Sequence, residues 1–222
     1  MKKLTIVGAG GYGKVVADIA IKNGYEYITF VDDNPLIKDC YGFPVVGTLK
    51  DLKNNDTDIV VAIGNATFRE KIMKSVTKDR LVSLAHPNSV IAEDVTIGPG
   101  TIIMAGAVIN PGVKIGCGCI VNTSSSIDHD CLIEDFVHVA VGAHIAGTCF
   151  IGKKTWIGAG AILSNNTSII SDVTIGAGTV VIKDIKEPGI YVGVPAERIE
   201  KEDCANMKNS DINKKSEREL NI

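Results

Sequence analysis

The sequence predicts two regions of different class: a small Rossmann-like α/β lobe and an all-β solenoid of hexapeptide repeats. An aliphatic residue recurs at every sixth position from Ile91 to Val181 without an insertion. The residue four positions after each of these is mostly small, as at Ala107 and Ala143. Before the repeats, an apolar stretch leads into the glycine-rich segment at residues 8–14. These three observations define the expected fold class.

A period of six suits neither an α-helix, which repeats its apolar face every 3.6 residues, nor an ordinary strand, which repeats every two. It is typical of a solenoid of short parallel strands, with one hexad per flat face and three faces per coil. β-branched residues favour the buried, pleated positions, and the glycine and asparagine that follow suit tight corners. We therefore expect a parallel β-helix of about five coils over residues 86–200.

Length and charge restrict the classes of function. The chain has 222 residues and a net charge of −3, which fits two modest domains and offers no basic patch for nucleic acid. No apolar run approaches the ~18 residues of a transmembrane segment, and the first residues resemble a strand rather than a signal peptide. We expect a cytoplasmic protein with a lobe at residues 1–85 and a polar C-terminal tail at residues 201–222.

The chain contains six cysteines. Cys119, Cys131 and Cys149 occupy the small position of their hexads, which favours small core residues over disulfides. Cys117 and Cys119 lack a second Cys/His pair at zinc spacing, so no metal site is predicted.

The N-terminal lobe has the organisation of a nucleotide-binding unit. A strand at residues 3–7 leads into the glycine loop, a helix ends near residue 24, and a strand at residues 27–31 ends in Asp32 and Asp33. Further along, we expect a strand at residues 58–63 and a helix at residues 67–76. Glycines allow backbone N–H groups to approach a phosphate, and a carboxylate binds polar groups of a nucleoside. About 85 residues are too few for a dinucleotide domain, which favours a nucleotide-tagged substrate over NAD-linked chemistry.

Three of the four histidines lie within the repeats, outside the inward-facing positions of their hexads. His129 stands between Asp128 and Asp130, an arrangement that suits acid–base catalysis because a carboxylate orients the ring and stabilises the imidazolium. His138 lies one face further on, and we expect it to reach the same cleft. His144 is interpreted as a surface residue, and His86, before a proline, as structural.

These features together resemble the bacterial nucleotide-sugar acetyltransferases of the hexapeptide-repeat superfamily. The likeness is greatest to the UDP-4-amino-sugar N-acetyltransferases of bacillosamine synthesis, with perosamine and sialic acid acetyltransferases as relatives. The motifs that carry it are the glycine loop at 8–14, Asp32-Asp33, the segments 122–125, 128–131 and 136–143, and the closing Gly193-Val194-Pro195-Ala196.

The resemblance implies a left-handed β-helix and a homotrimer that binds acetyl-CoA between neighbouring subunits. It implies that His129 is the general base, with Asp130 and His138 as its catalytic companions. His138 and the backbone at Gly147, Ala159 and Ala177 would bind the cofactor. The implied substrate-binding residues are Gly10, Gly11, Tyr12, Gly13, Asp32, Asp33, Gly64, Asn65 and Asn122. The family has histidine where this chain has Tyr12.

The hypothesis is direct transfer of an acetyl group from acetyl-CoA to the amine of a UDP-linked 4-amino-4,6-dideoxy sugar. No serine or cysteine is expected beside a base, so no acetyl-enzyme is predicted. His138 or a backbone N–H would stabilise the oxyanion. The alternatives are an O-acetyltransferase of sialic acid or another surface sugar, a non-sugar acyltransferase of the same fold, and a non-catalytic scaffold.

Overall fold

The computed structural model describes residues 1–54 and 56–199, so the predicted tail at 201–222 lies outside the described residues. Its first part is an α/β lobe with two α-helices and two short 3₁₀ helices, at Leu49–Asn54 and Lys78–Arg80. The labelled elements are β1 (Lys2–Val7), α1 (Gly11–Lys22), β2 (Tyr25–Val31), β3 (Asp39–Cys40), β4 (Phe43–Gly47), β5 (Asp58–Val61) and α2 (Ala66–Lys74).

The lobe has a five-stranded sheet in the order β3-β4-β2-β1-β5. Strands β1, β2, β4 and β5 run parallel, as expected for a nucleotide-binding unit. The small antiparallel pair β3–β4 at the edge was not predicted. β3 has only two residues, and the sequence of β4 is an apolar run without polar alternation, although its residues alternate between half-buried and exposed.

The hexapeptide solenoid is confirmed, and it forms the left-handed β-helix that the resemblance implies. Strands eighteen positions apart pair in parallel, as Val108 does with both Val90 and Ser126. Three sheets result, which we call the first, second and third faces.

The first face comprises Leu84–Ala85, Ile102–Ile103, Ile120–Val121, His138–Val139, Trp156–Ile157 and Val173–Ile175, followed by the closing strands Gly189–Val192 and Glu197–Ile199. The second comprises Val90–Ile91, Val108–Ile109, Ser126–Ile127, His144–Ile145, Ile162–Leu163 and Val180–Val181. The third comprises Thr96–Ile97, Lys114–Ile115, Leu132–Ile133, Phe150–Ile151 and Ser168–Ile169.

The interior of the solenoid is a continuous apolar stack. The six-residue anchors from Ile103 to Val181 are buried, with Cys119, Cys131 and Cys149 beside them in the small positions. These cysteines are free, as expected for core residues. Because neighbouring hexads place side chains of similar size at the same positions, each coil buries the apolar residues of the next.

The lobe packs against the outer side of the first face. Leu84, Ile102 and Ile120 point outward from the solenoid and are buried in one cluster with Val16 and Ala17 of α1. Each of the three is at most 3% exposed, so the lobe covers this part of the face closely.

Arg69 of α2 joins the two regions. Its buried guanidinium donates Nε to Gly118 O at 2.7 Å and Nη2 to Phe136 O at 2.9 Å, both in the solenoid. Its Nη1 donates to Ile63 O and Gly64 O within the lobe. The cation is solvated by four carbonyl oxygens, which fixes the lobe relative to the β-helix.

Glu70 adds an ionic contact next to Arg69. Its nearly buried carboxylate lies 2.9 Å from Lys74 Nζ, 2.8 Å from Lys153 Nζ and 2.6 Å from Lys154 Nζ. Hydrogen bonds from Lys153, Lys154 and Lys74 hold the pKa of this carboxyl well below its usual range. Two of these lysines belong to the solenoid, so Glu70 links the two regions.

We expect Glu70→Gln to lower the free energy of unfolding by about 1–2 kcal/mol, because three ammonium groups lose their shared anion. A depressed carboxyl pKa stabilises the fold at neutral pH, and this contribution disappears as pH falls below the ordinary value of about 4.3. Urea unfolding at pH 7 and through the acidic range measures both effects. Exposed Glu93→Gln is the control; equal stability of the two variants would contradict the prediction.

None of the helices in the described part of the chain has both the length and the apolar character that crossing a bilayer requires.

Candidate active site

His129 stands exposed at the corner that joins the second face to the third. The corner needs a left-handed residue, and Asp130 takes it with φ 57°, a conformation that aspartate tolerates better than most residues. The Asp130 carboxylate thereby lies 2.9 Å from His129 Nδ1. This hydrogen bond, with the Asp128 and Asp130 charges, raises the pKa of His129. The ring is an oriented base whose Nε2 is directed away from Asp130.

Asp128, the second carboxylate beside His129, contacts the backbone rather than the ring. Its Oδ1 accepts from Asn110 Nδ2 at 2.7 Å and from the backbone N–H of His129 at 2.8 Å. The hydrogen bond from Asn110 is the main reason that the pKa of Asp128 is lowered. Asp128 therefore fixes the backbone that carries His129, while among the described residues Asp130 is the one that bonds the ring.

Gly147 lies directly against the His129 ring, one coil further along the same corner. A Cβ at Gly147 would stand 2.5 Å from His129 Nε2 and 2.7 Å from Cε1. Glycine is required here because any side chain at this position would displace the His129 ring. Gly147 is expected to line the cofactor path. It also determines where the His129 ring lies.

We expect Asp130→Asn to lower kcat about 10-fold and to move the acidic limb of the kcat/KM profile to lower pH. The reason is that the carboxylate raises the pKa of His129, so its removal leaves a weaker base that is protonated only at lower pH. Asparagine also tolerates the left-handed conformation, so the variant isolates the charge. The profile of initial rate against pH measures this shift; a limb that stays in place would separate Asp130 from His129.

His138 is placed in a different environment, on the outer side of the first face, and is only 8% exposed. Burial, with a smaller effect of the Arg69 charge, lowers the pKa of His138 to about 4, so the ring is neutral at neutral pH. Asn122 Nδ2 lies 3.2 Å from its Nε2. The backbone N–H of Thr123 bonds Asn122 Oδ1 at 2.8 Å, which fixes the amide orientation. Because the amide nitrogen only donates, Nε2 accepts and the ring proton resides on Nδ1.

The predicted catalytic residues do not meet within one chain. His129 lies at the corner of the second and third faces, whereas His138 lies on the first face. The predicted cofactor residues are divided in the same way. Gly147 lies next to His129. Ala159 and Ala177 lie one coil apart at the corner between the first and second faces, where the backbone N–H of Gly178 donates to Ala159 O.

The glycine loop is placed as a phosphate site would require. Gly10 and Gly11 are exposed at the N-terminus of α1, where no side chain caps the free N–H groups. Gly13 packs so closely on Gly8 O that no larger residue fits. Tyr12 turns inward, where its hydroxyl is buried near Arg69 without a hydrogen-bond partner in the described residues, and burial raises its pKa.

The other predicted substrate residues already make contacts within the lobe. Asp32 Oδ2 accepts from the N–H of Ala9 at 2.8 Å, which holds the glycine loop. Asp33 Oδ1 accepts from Leu49 N at 3.1 Å. Asn65 caps α2 through Phe68 N, and the carbonyl of Gly64 accepts from Arg69. These contacts hold the glycine loop, the start of the first 3₁₀ helix and the start of α2 in place.

One expectation is wrong: a serine does lie beside a base. Ser126 Oγ is 2.8 Å from His144 Nδ1 on the outer side of the second face, in a shallow groove that Asp128 also borders. The two residues are eighteen positions apart, and only the stacking of successive coils brings them together. The sequence could have predicted this contact, because residues eighteen positions apart lie next to each other on adjacent coils of the solenoid.

The chain is similar to several known acetyltransferases. The family model of the PglD N-terminal domain matches residues 3–76. The acetyltransferase domain of PglB from Neisseria gonorrhoeae is 40% identical, with a TM-score of 0.86 over 90% of this chain and 100% of that one. It has also been solved with acetyl coenzyme A. A mutant perosamine N-acetyltransferase from Caulobacter crescentus, in complex with CoA and GDP-perosamine, is 31% identical, with a TM-score of 0.85 over 90% and 98% of the chains.

A curated relative is the UDP-N-acetylbacillosamine N-acetyltransferase of Bacillus subtilis, 30% identical over 110 residues, which are 46% of this chain and 50% of that protein. The chain spans only 18% to 50% of the length of such curated relatives.

Proposed function

Because the chain belongs to the hexapeptide-repeat nucleotide-sugar acetyltransferases, we propose that it transfers the acetyl group of acetyl-CoA to the amine of a nucleotide-linked amino sugar. The acceptor we propose is a UDP-linked 4-amino-4,6-dideoxy sugar. The observation that carries the proposal is the exposed His129, oriented by Asp130 at 2.9 Å, with Gly147 leaving room at Nε2.

In the proposed reaction, His129 accepts a proton from the sugar amine at Nε2 while Asp130 stabilises the resulting imidazolium. The free amine attacks the thioester carbonyl, the C–S bond breaks, and the CoA thiolate leaves and takes up a proton. His138 is proposed as the donor to the acyl carbonyl or the sugar. Its Nδ1–H is buried and has no hydrogen-bond partner in the described residues, so this role requires the ring to turn toward the bound substrate. Acetyl-CoA supplies the activated acyl group, and the protein supplies position.

Transfer is proposed to be direct even though Ser126 lies beside His144. That pair is exposed on the second face, and neither residue hydrogen-bonds His129 or Asp130 in the described structure. Ser126→Ala is expected to keep full turnover, and no acetylated protein is expected by intact mass after mixing with acetyl-CoA alone. Trapping an acetyl-Ser126 adduct would replace direct transfer with a two-step mechanism.

A homotrimer with active sites between subunits is part of the proposal. It is supported by the separation of His129 from His138 and by the apolar second face, where Val90 and Ile162 are exposed. Light scattering is expected to give three times the 23.5 kDa chain mass. Mixing His129→Ala and His138→Ala chains after mild dissociation should restore activity, because some mixed sites receive both intact residues. Mixtures as inactive as their components would contradict a site that is shared between subunits.

The experiment that tests the function is thiol release from acetyl-CoA with UDP-, dTDP- and GDP-linked amino sugars. We expect the fastest release with the UDP-4-amino sugar. A preference for GDP-linked amino sugars would change the nucleotide, and a preference for sialic acid or another sugar hydroxyl would make the protein an O-acetyltransferase. Release with none of them would support a non-sugar acyltransferase or a scaffold.

A further inference from the structure

Trp156, the single tryptophan of the chain, is an aromatic residue that the proposed reaction has not used. It lies on the first face, next to His138 along the sheet. Exposure along this outward column rises from 1% at Ile120 to 8% at His138 and 40% at Trp156. Trp156 therefore stands where the cover of the lobe ends and the face opens to solvent.

The ring of Trp156 is held by its neighbours. Its centroid is 4.1 Å from that of His138, with the two planes tilted by 52°. His138 is itself fixed through Asn122, whose amide is oriented by the Thr123 backbone. A half-exposed aromatic ring on a rigid support binds a ligand at a low cost in conformational entropy.

The position of the glycine loop indicates which ligand this is. Tyr12, in the first turn of α1, packs in the same cluster as Ile102 and Ile120 of the first face. Arg69, whose charge lies near the Tyr12 hydroxyl, bonds the carbonyls of Gly118 and Phe136, two residues before the strands of Ile120 and His138. A diphosphate bound at the exposed Gly10–Gly11 end of α1 would thus lie over the first face. The sugar attached to it is the part of the ligand that reaches the uncovered Trp156.

We propose that Trp156 is an acceptor-binding residue that packs against the apolar C–H side of the sugar ring, with His138 and Asn122 as its support. The inference rests on the proposed function, since it needs a nucleotide-linked sugar at the glycine loop. It assigns His138 a second task, because the ring proposed as a hydrogen-bond donor in the reaction also orients Trp156.

The emission of this single tryptophan provides a readout that is independent of turnover. The full chain is titrated with UDP, with a UDP-4-amino-4,6-dideoxyhexose and its GDP analogue, and with CoA, while calorimetry reports binding. We expect the emission of Trp156 to change with the sugar nucleotides and to stay constant with UDP and CoA. Binding of a sugar nucleotide without a change in emission would overturn the inference but leave the proposed function standing, as would a response to CoA alone.

Steady-state kinetics of Trp156 variants provide a second, independent test. Trp156→Leu is expected to raise the KM for the sugar nucleotide about 10-fold and to leave the KM for acetyl-CoA unchanged, and Trp156→Phe should recover most of the loss. Phe150→Leu is the matched control, because Phe150 occupies the equivalent hexad position on the third face. An unchanged KM for the sugar in Trp156→Leu, or an equal rise in Phe150→Leu, contradicts the assignment. If no sugar releases thiol, the proposed function fails, and the emission titration still decides whether Trp156 meets a sugar nucleotide.

Discussion

His129→Ala is expected to lower turnover about 10²–10⁴-fold, the range that a general base contributes. The side chain is exposed, and its ring bonds only Asp130 in the described structure, so the fold should be unaffected. The sugar amine arrives mostly protonated, and without His129 it loses its proton to solvent before attack. The deficit should therefore shrink at alkaline pH, where more of the amine is already free.

The measurement is thiol release between neutral and alkaline pH, with His144→Ala as the matched control. His144 is also an exposed histidine on the outer side of the solenoid, and we expect its removal to leave turnover near the wild-type level. Wild-type activity in His129→Ala would refute the assignment of the base. A deficit that is constant with pH would mean that His129 acts by binding the substrate rather than by accepting its proton.

Gly147→Ala should lower kcat about 10²-fold while leaving thermal stability close to wild type. The added methyl would lie 2.5 Å from His129 Nε2. That atom is at the end of a side chain, so the ring moves aside at little cost to the fold. A general base displaced by about 1 Å loses much of its effect. The expected signature is a low kcat in a protein that unfolds at the normal temperature.

A double-mutant cycle identifies the cause of this loss. If Gly147→Ala acts through the base, the double variant Gly147→Ala/His129→Ala should be no slower than His129→Ala alone. Additive losses would instead favour a direct role of Gly147 along the acetyl-CoA path. Gly152→Ala serves as the contrasting variant, because there the methyl would meet the backbone of Ser171 and the expected effect is on stability.

Local patterns alone predicted the solenoid, both helices and the main strands of the lobe. Each depends on a short-range repeat: six residues per face in the solenoid, 3.6 in α1, and glycines at a turn. The pairing of Asp130 with His129 was equally accessible, because the two residues are adjacent and the corner conformation brings them together. The edge pair β3–β4 lacked any such repeat.

Other site features depend on contacts between distant residues. Asn110 reaches Asp128 across one coil, so that of the two carboxylates beside His129 it is Asp128 that supports the backbone. Arg69 lies at an ordinary helix position, yet it is fully buried because it joins two regions of the chain. The pKa of His138 is lowered to about 4 because the His138 ring itself is buried, and its neighbours in sequence do not reveal this burial.

The sequence by itself determined the triangular β-helix and the pairing of His129 with Asp130, since both arise from residues within one or two hexads. The tertiary structure decided the rest: which face the lobe covers, which histidine stays neutral, and that His129 and His138 lie on different sides of one chain. The physical reason is that these properties depend on desolvation and on packing between regions far apart in sequence. Such interactions form only once the lobe has docked on the solenoid.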